Sequence, residues 1–120
     1  IPPFIRNLGV NVNYNVDEVI EWADALNVLR IQRERMGLGL IPSIREYRAM
    51  FGITQERLDH HKKEIVIMHP GPMNRGVEID GSVADSDQAI ILDQVLNGVA
   101  SRMAILYLLC GGKSSEKEES

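Results

Sequence analysis

Two apolar runs in this chain each break into a polar loop rich in hydrogen-bonding groups, and that pairing restricts the fold more than any other feature. Ala25-Leu26-Asn27-Val28-Leu29 runs into Arg30-Ile31-Gln32-Arg33-Glu34-Arg35-Met36, and Ile65-Val66-Ile67-Met68 runs into His69-Pro70-Gly71-Pro72-Met73-Asn74-Arg75-Gly76. Segments of helical periodicity lie between and around them, the pattern of βαβ units on a parallel sheet. In such a sheet the carboxyl ends of both strands open on one edge, where open α/β sheets bind ligands. That edge is the expected site.

The remaining segments fit the same class. Ile1 to Leu8 reads as a helix end, with Pro2 and Pro3 suited to a helix start and Gly9 to a stop. Val10-Asn11-Val12-Asn13-Tyr14 alternates as a strand does. Val16 to Ala23 carries apolar residues at helical spacing behind Asn15 as a cap, with Asp17 and Glu18 in the first turn. Ser43 to Phe51 and Thr54 to His61 predict two short helices, the second headed by Thr54 in an imperfect capping box. Asp85 or Ser86 is the expected cap of a long helix. Its residues Leu92, Val95, Leu96, Val99, Met103, Leu106 and Cys110 recur at helical spacing up to Gly111-Gly112. Cys110 lies on that stripe, so it is expected to pack as a core residue.

Several function classes drop out early. A net charge of −4 lacks the basic face that nucleic-acid binding needs. No apolar stretch approaches the roughly 20 residues that span a bilayer, and no segment resembles a signal peptide. The single cysteine cannot form an internal disulfide, which points to a reducing cytoplasm. At 120 residues the chain suits one small domain. It opens on Ile1-Pro2-Pro3-Phe4, without an initiator Met and in mid-pattern, so a longer natural chain is expected. Gly37-Leu38-Gly39 lacks the third glycine and the lysine of a phosphate loop and reads as a mobile loop. His60 and His61 are adjacent on a predicted helix, point about 100° apart and have no acid or cysteine cluster beside them; solvated surface is expected, and no metal.

The two strand-end loops carry the groups with chemistry to offer. Arg30 and Gln32 are two positions apart, so in extended chain their side chains face the same way. Together they could hold a carboxylate through charge-assisted bonds; alternatively, Arg30 could pair with Glu34 or another acid and close the loop. In His69-Pro70-Gly71-Pro72 two prolines stiffen the backbone and remove two N–H donors, leaving the carbonyls of Pro70 and Gly71 free to accept from a ligand. A Gly-Pro bond can also be cis. A stiff turn with no ligand fits the same residues.

Leu29-Arg30-Ile31-Gln32-Arg33-Glu34-Arg35, followed by His69-Pro70-Gly71-Pro72-Met73-Asn74-Arg75-Gly76-Val77-Glu78-Ile79, resembles the aspartate-binding half of aspartate carbamoyltransferase catalytic chains. Gln94-Val95-Leu96-Asn97-Gly98-Val99-Ala100-Ser101-Arg102-Met103-Ala104 is similar to that family's carboxy-terminal helix, which returns toward the amino-terminal domain. The resemblance runs from about Ile1 to Gly112. It implies a three-layer Rossmann-like α/β domain, a parallel sheet flanked by helices and ending in a long helix. Residues 1–112 would then be an L-aspartate-binding domain and 113–120 a charged, disordered tail.

The same resemblance assigns roles. Arg30 and Gln32 would bind the aspartate side-chain carboxylate, and Pro70 and Gly71 would offer carbonyls to the carbamoyl amide or the attacking amine. Gly71-Pro72 would be the cis bond, with His69 and Pro72 in support. Arg35 would anchor a substrate-binding loop over Leu38 to Met50. The family more often has leucine at the Gly71 position, but a carbonyl contact needs no side chain. The ornithine enzyme has His-Cys-Leu-Pro where this chain has His69-Pro70-Gly71-Pro72, so an acidic amino acid is the expected substrate. The Ser-Thr-Arg-Thr segment that binds carbamoyl phosphate in the family's amino-terminal domain does not occur in this sequence. The resemblance implies no cofactor and a cytoplasmic homotrimer acting on L-aspartate and carbamoyl phosphate. It leaves open regulatory chains or a dihydroorotase as partners. The rival expectation is a non-catalytic amino-acid-binding or assembly module of the same fold.

Overall fold

A computed structural model describes residues 2–32, 43–62 and 64–111. A 3-10 helix over Pro3–Leu8 comes first, ended by Gly9 at φ 77°. Helix α1 (Val16–Trp22) follows, capped by Asn15, whose side chain accepts from the Asp17 N–H at 3.1 Å. Strand β1 (Ala25–Asn27) leads away from it. Helix α2 (Ile44–Phe51) starts at Ser43, whose Oγ accepts the Glu46 N–H at 3.1 Å and whose hydroxyl donates to the Glu46 carboxylate at 3.2 Å. Helix α3 (Gln55–His61) is capped by Thr54. Strand β2 (Val66–Met68), the short helix α4 (Gly81–Ala84) and the long helix α5 (Ile91–Cys110) complete the order.

β1 and β2 pair in parallel, Leu26 opposite Ile67, and the Val28 N–H extends the ladder by donating to the Met68 carbonyl at 2.8 Å. The other edge of β2 is covered by Gln88 to Ile90, for Ile67 donates to the Gln88 carbonyl and accepts from the Ile90 N–H at 2.8 and 2.9 Å. The strand alternates as a pleat requires: Ile65 and Ile67 are buried while Val66 is 40% exposed. Around Ile67 the core gathers Ile20 and Ala23 from the α1 region, Ile53, Leu58, Ile79, Val83 and Ile91. A second parallel bridge, Ile53 to Ile79, fastens the segment after α2 to the segment before α4. This is the α/β architecture that the sequence predicts, a parallel pair with helices and a long terminal helix.

Four expectations are corrected. Val10 to Tyr14 is irregular backbone, not a strand. Asn13 serves the start of α1 instead: its Oδ1 accepts the Asn15 N–H, and the side-chain amides of Asn13 and Asn15 both donate to the Glu18 carboxylate. Neither Asp85 nor Ser86 caps the long helix, which begins at Ile91; Asp85 ends α4, and Gln88 to Ile90 are taken by the edge of β2. Cys110 is exposed rather than core, because α5 runs on past the core: Ile91 is its buried residue, while Leu96, Met103 and Leu106 are more than half exposed. His61 also departs from the solvated surface expected of it, its side chain being only 9% exposed and its Nε2 lying 3.6 Å from Asp17. Among the described residues no helix is long and apolar enough to cross a membrane.

The expected 36–42 loop and the tail lie outside the described residues. Ile67 is fully buried at the centre of the core, so Ile67→Ala should cost about 2–5 kcal/mol of folding stability. Val66→Ala on the neighbouring exposed face should cost less than about 1 kcal/mol. Urea denaturation of the two variants checks the pair, and equal losses would contradict the pleat described here.

Candidate functional site

Because the strands are parallel and in register, the chain leaving β1 and the chain leaving β2 emerge side by side. The first continues through Arg30 and Gln32, both exposed, on either side of Ile31, which is 8% exposed. Burial of Ile31 turns its two polar neighbours outward together. The second begins with His69, which is fully buried, and passes through exposed Pro70, half-buried Gly71 and exposed Pro72. The Gly71-Pro72 bond is cis. Gly71 has φ 66°, the left-handed region in which glycine is favoured, and a Cβ there would lie 3.6 Å from Val95 of α5. The loop thus rests on the first turns of α5, and α5 is in turn held to β1 by Gln94, whose Nε2 donates to Asn27 Oδ1 at 3.4 Å.

Beneath the two loops lies a buried polar network. The Gly71 N–H donates to His69 Nδ1 at 2.9 Å. An accepting Nδ1 carries no proton, so the ring proton of the neutral imidazole sits on Nε2. That atom faces Oε1 of Glu78 at 3.5 Å, farther than an ordinary hydrogen bond, with His69 and Glu78 respectively 0% and 1% exposed. Glu78 is satisfied mainly by Asn74. The Asn74 backbone N–H donates to Glu78 Oε1, and Asn74 Nδ2 donates to Glu78 Oε2 at 3.3 Å. The same Nδ2 donates to the carbonyl of Ile31 at 3.3 Å. With an acceptor on each side, the amide can only present its NH₂ there.

The peptide of Glu78 is itself pinned, its carbonyl accepting from the Ile53 N–H at 3.0 Å. Tyr47 of α2 senses the carboxylate: its phenol is pushed above the ordinary tyrosine range, first by burial and then by the charge of Glu78. At the surface, Arg75 grips Asp85 through two bonds of 2.6 and 2.8 Å. The Arg75 hydrogen bond holds the Asp85 carboxyl below its usual value. Both groups are exposed, and such a pair adds little stability.

The structure therefore brings Arg30 and Gln32 to the same edge as His69, Pro70, Gly71 and Pro72. Arg35 lies outside the described residues, as does Glu34, one of the acids that Arg30 could pair with. Asn74 and Glu78 were visible in the sequence only as part of the second loop. Nothing in their spacing signals that one carboxylate is buried and that its amide partner reaches across to the other strand's loop.

A cleft of about 770 Å³ lies elsewhere, among α1, α2 and α3. Two of its three arginines, Arg57 and Arg48, are already engaged. Arg57 pairs with Asp17 at 3.1 Å and donates to the carbonyls of Gly52 and Ala49 at 2.7 and 2.6 Å. Arg48 pairs with Asp80 at 2.7 Å and donates to the Gly76 carbonyl. These bonds clamp helices together, so the cleft reads as packing. Among the described residues no group of three metal-ligating side chains occurs.

The model of the aspartate/ornithine carbamoyltransferase Asp/Orn-binding domain matches residues 5–109. The aspartate carbamoyltransferase catalytic subunit of Gemmatimonas aurantiaca is 60% identical over 113 residues, covering 94% of this chain and 35% of the relative. That of Carboxydothermus hydrogenoformans is 55% identical over 116 residues, covering 96% and 37%. This chain thus spans about a third of the length of the curated relatives it matches. Among solved structures, aspartate transcarbamoylase from Trypanosoma cruzi in complex with N-(phosphonacetyl)-L-aspartic acid superposes with a TM-score of 0.67 at 30% identity, over 86% of this chain and 32% of the other. Ornithine carbamoyltransferase from Thermus thermophilus, at 19% identity and a TM-score of 0.69 over 90% of this chain and 34% of that one, shares the fold. A parallel pair with two polar loops on its carboxyl edge, matched over nearly its whole length by one domain model, makes this chain a member of the aspartate/ornithine carbamoyltransferase Asp/Orn-binding domain family.

Proposed function

We propose that this chain is the L-aspartate-binding part of an aspartate carbamoyltransferase catalytic chain, which transfers the carbamoyl group of carbamoyl phosphate to L-aspartate. The products are N-carbamoyl-L-aspartate and phosphate, an early step of pyrimidine synthesis. The observation that carries this reading is the joining of the Arg30–Gln32 loop to the His69–Pro72 loop at one sheet edge, through Asn74 and the Ile31 carbonyl. Aspartate rather than ornithine is favoured by the curated relatives, which are aspartate enzymes, and by Pro70 standing where the ornithine enzyme has cysteine.

The chemistry asks little of this segment beyond placement. The neutral α-amine attacks the carbamoyl carbon, the amine loses a proton, and the C–O bond to phosphate breaks; no covalent enzyme intermediate is required. Arg30 and Gln32 take the side-chain carboxylate, by charge and by amide hydrogen bond. The carbonyls of Pro70 and Gly71 accept N–H groups of the amine or the carbamoyl amide, and the His69 ring and Pro72 hold those carbonyls in place. Arg35 anchors the substrate-binding loop. Rate comes from orientation and from stabilising charge on the departing phosphate, the second of which falls to a further domain.

The surface of α5 supports the existence of that domain. Its outer turns are apolar on every side, with Tyr107, Leu108 and Leu109 all more than three-quarters exposed, and a helix hydrophobic all round is normally buried. The completed enzyme is a cytoplasmic homotrimer on this reading.

Two outcomes test it. In a catalytic chain of the relatives' length carrying this segment, Arg30→Ala should lower kcat/KM for aspartate by about 30-fold or more, equivalent to at least about 2 kcal/mol. Carbamoyl phosphate affinity should be spared; steady-state kinetics with each substrate varied separates the two. The 120-residue chain by itself should form no detectable carbamoyl aspartate, since one substrate has no anchor and proximity is lost. Appreciable product from that chain alone would overturn the division of labour.

A further inference from the structure

We propose that Asn74 is a positioning residue of the aspartate site, a clamp that sets the Arg30–Gln32 loop in register with the carbonyls of Pro70 and Gly71. The inference rests on the reading given under Proposed function and goes beyond it by assigning a role to a residue that never touches substrate. The last backbone pairing between the strands is at Val28 and Met68. The residues offered to the ligand lie two to four positions beyond, where the sheet no longer fixes one chain against the other.

Asn74 bridges that gap. One side-chain nitrogen donates to the Ile31 carbonyl, between Arg30 and Gln32, and to Glu78 Oε2, both at 3.3 Å. Glu78 faces the His69 ring, whose Nδ1 accepts the N–H of Gly71. The line from Ile31 through Asn74, Glu78 and His69 to Gly71 starts in one loop and ends in the other. It is buried at Glu78 and His69, where water cannot substitute for a missing partner. A displacement of about 1 Å in a positioning element can cost about a hundredfold in rate, so a bond well away from the reacting atoms has leverage on aspartate through the Arg30–Gln32 loop.

The test is a pair of substitutions in the full-length catalytic chain. Asn74→Ala deletes both bonds donated by the side chain and keeps the backbone one. Asn74→Asp keeps the shape but turns an oxygen toward the Ile31 carbonyl and the Glu78 carboxylate, two acceptors it would repel. The expected result is an aspartate KM raised about tenfold or more in Asn74→Ala and further in Asn74→Asp, with the KM for carbamoyl phosphate within about twofold of wild type. A packing role predicts the reverse order, the isosteric aspartate being the milder change. If Asn74→Asp does not fold, Asn74→Ser replaces it, with an aspartate KM expected between those of wild type and Asn74→Ala. An unchanged aspartate KM in Asn74→Ala, equal effects on both substrates, or Asn74→Asp nearer to wild type than Asn74→Ala would each overturn the clamp. Arg30→Ala run alongside keeps the two readings apart: loss of aspartate use there with none in the Asn74 variants rejects the clamp alone, while no loss in Arg30→Ala rejects the aspartate site itself.

Discussion

Glu78 places a carboxylate where water does not reach, with 1% of the residue exposed, and the edge of the domain is organised around satisfying it. A polar group in that position is costly unless donors surround it. Asn74 supplies two, one from its backbone and one from its side chain, while the His69 ring closes over the other side. Each of these neighbours has a second attachment. Asn74 also holds the Ile31 carbonyl, His69 also holds the Gly71 N–H, and the Glu78 peptide is paired with Ile53. The cost of burying one acid is thus offset by bonds that also fix two loops and the segment between α2 and α3.

This arrangement explains why a sheet of so few residues can present a defined surface. β1 and β2 each hold three residues, too short a ladder to position anything four residues past its end. Ile65 and Ile67 anchor β2 from below, Gln88 to Ile90 cover its other edge, and the polar network carries the order outward from there. The long helix contributes at its start, where Val95 underlies Gly71 and Gln94 reaches Asn27. Its outer turns are free of the core and, on the proposed reading, meet a different domain. One helix would then serve both halves of the protein, and a shift in the far half would reach the Pro70–Gly71 loop directly.

Much of this was legible in the sequence, for identifiable reasons. The two loops were readable because each follows a short apolar run with nothing else to explain its polarity, and the stiff His69-Pro70-Gly71-Pro72 backbone came from residue types whose geometry is local. Asn15 and Thr54 were readable as caps because capping is also local. What escaped depends on contacts between distant segments. Val10 to Tyr14 alternates like a strand, but its Asn13 is spent on the entry to α1 and on Glu18. The long helix starts at Ile91 because the edge of β2 claims Gln88 to Ile90, a competition that periodicity cannot reveal. Cys110 shares a stripe with apolar residues that the core leaves exposed. Glu78 and Asn74 look like ordinary loop polarity until the fold buries one and turns the other toward Ile31.

The central claim is that the two loops, held by Asn74 and Glu78, form one site for an aspartate skeleton. The most direct measurement is a crystal structure of the full-length catalytic chain with N-(phosphonacetyl)-L-aspartic acid bound. The account predicts the side-chain carboxylate of the aspartate moiety on Arg30 and Gln32 and its amide N–H directed to a carbonyl of Pro70 or Gly71. The Asn74 bond to the Ile31 carbonyl and the Gly71 bond to His69 should both be intact. A ligand seated instead in the charged cleft among α1, α2 and α3, or bound at the edge with those two bonds broken, would contradict it.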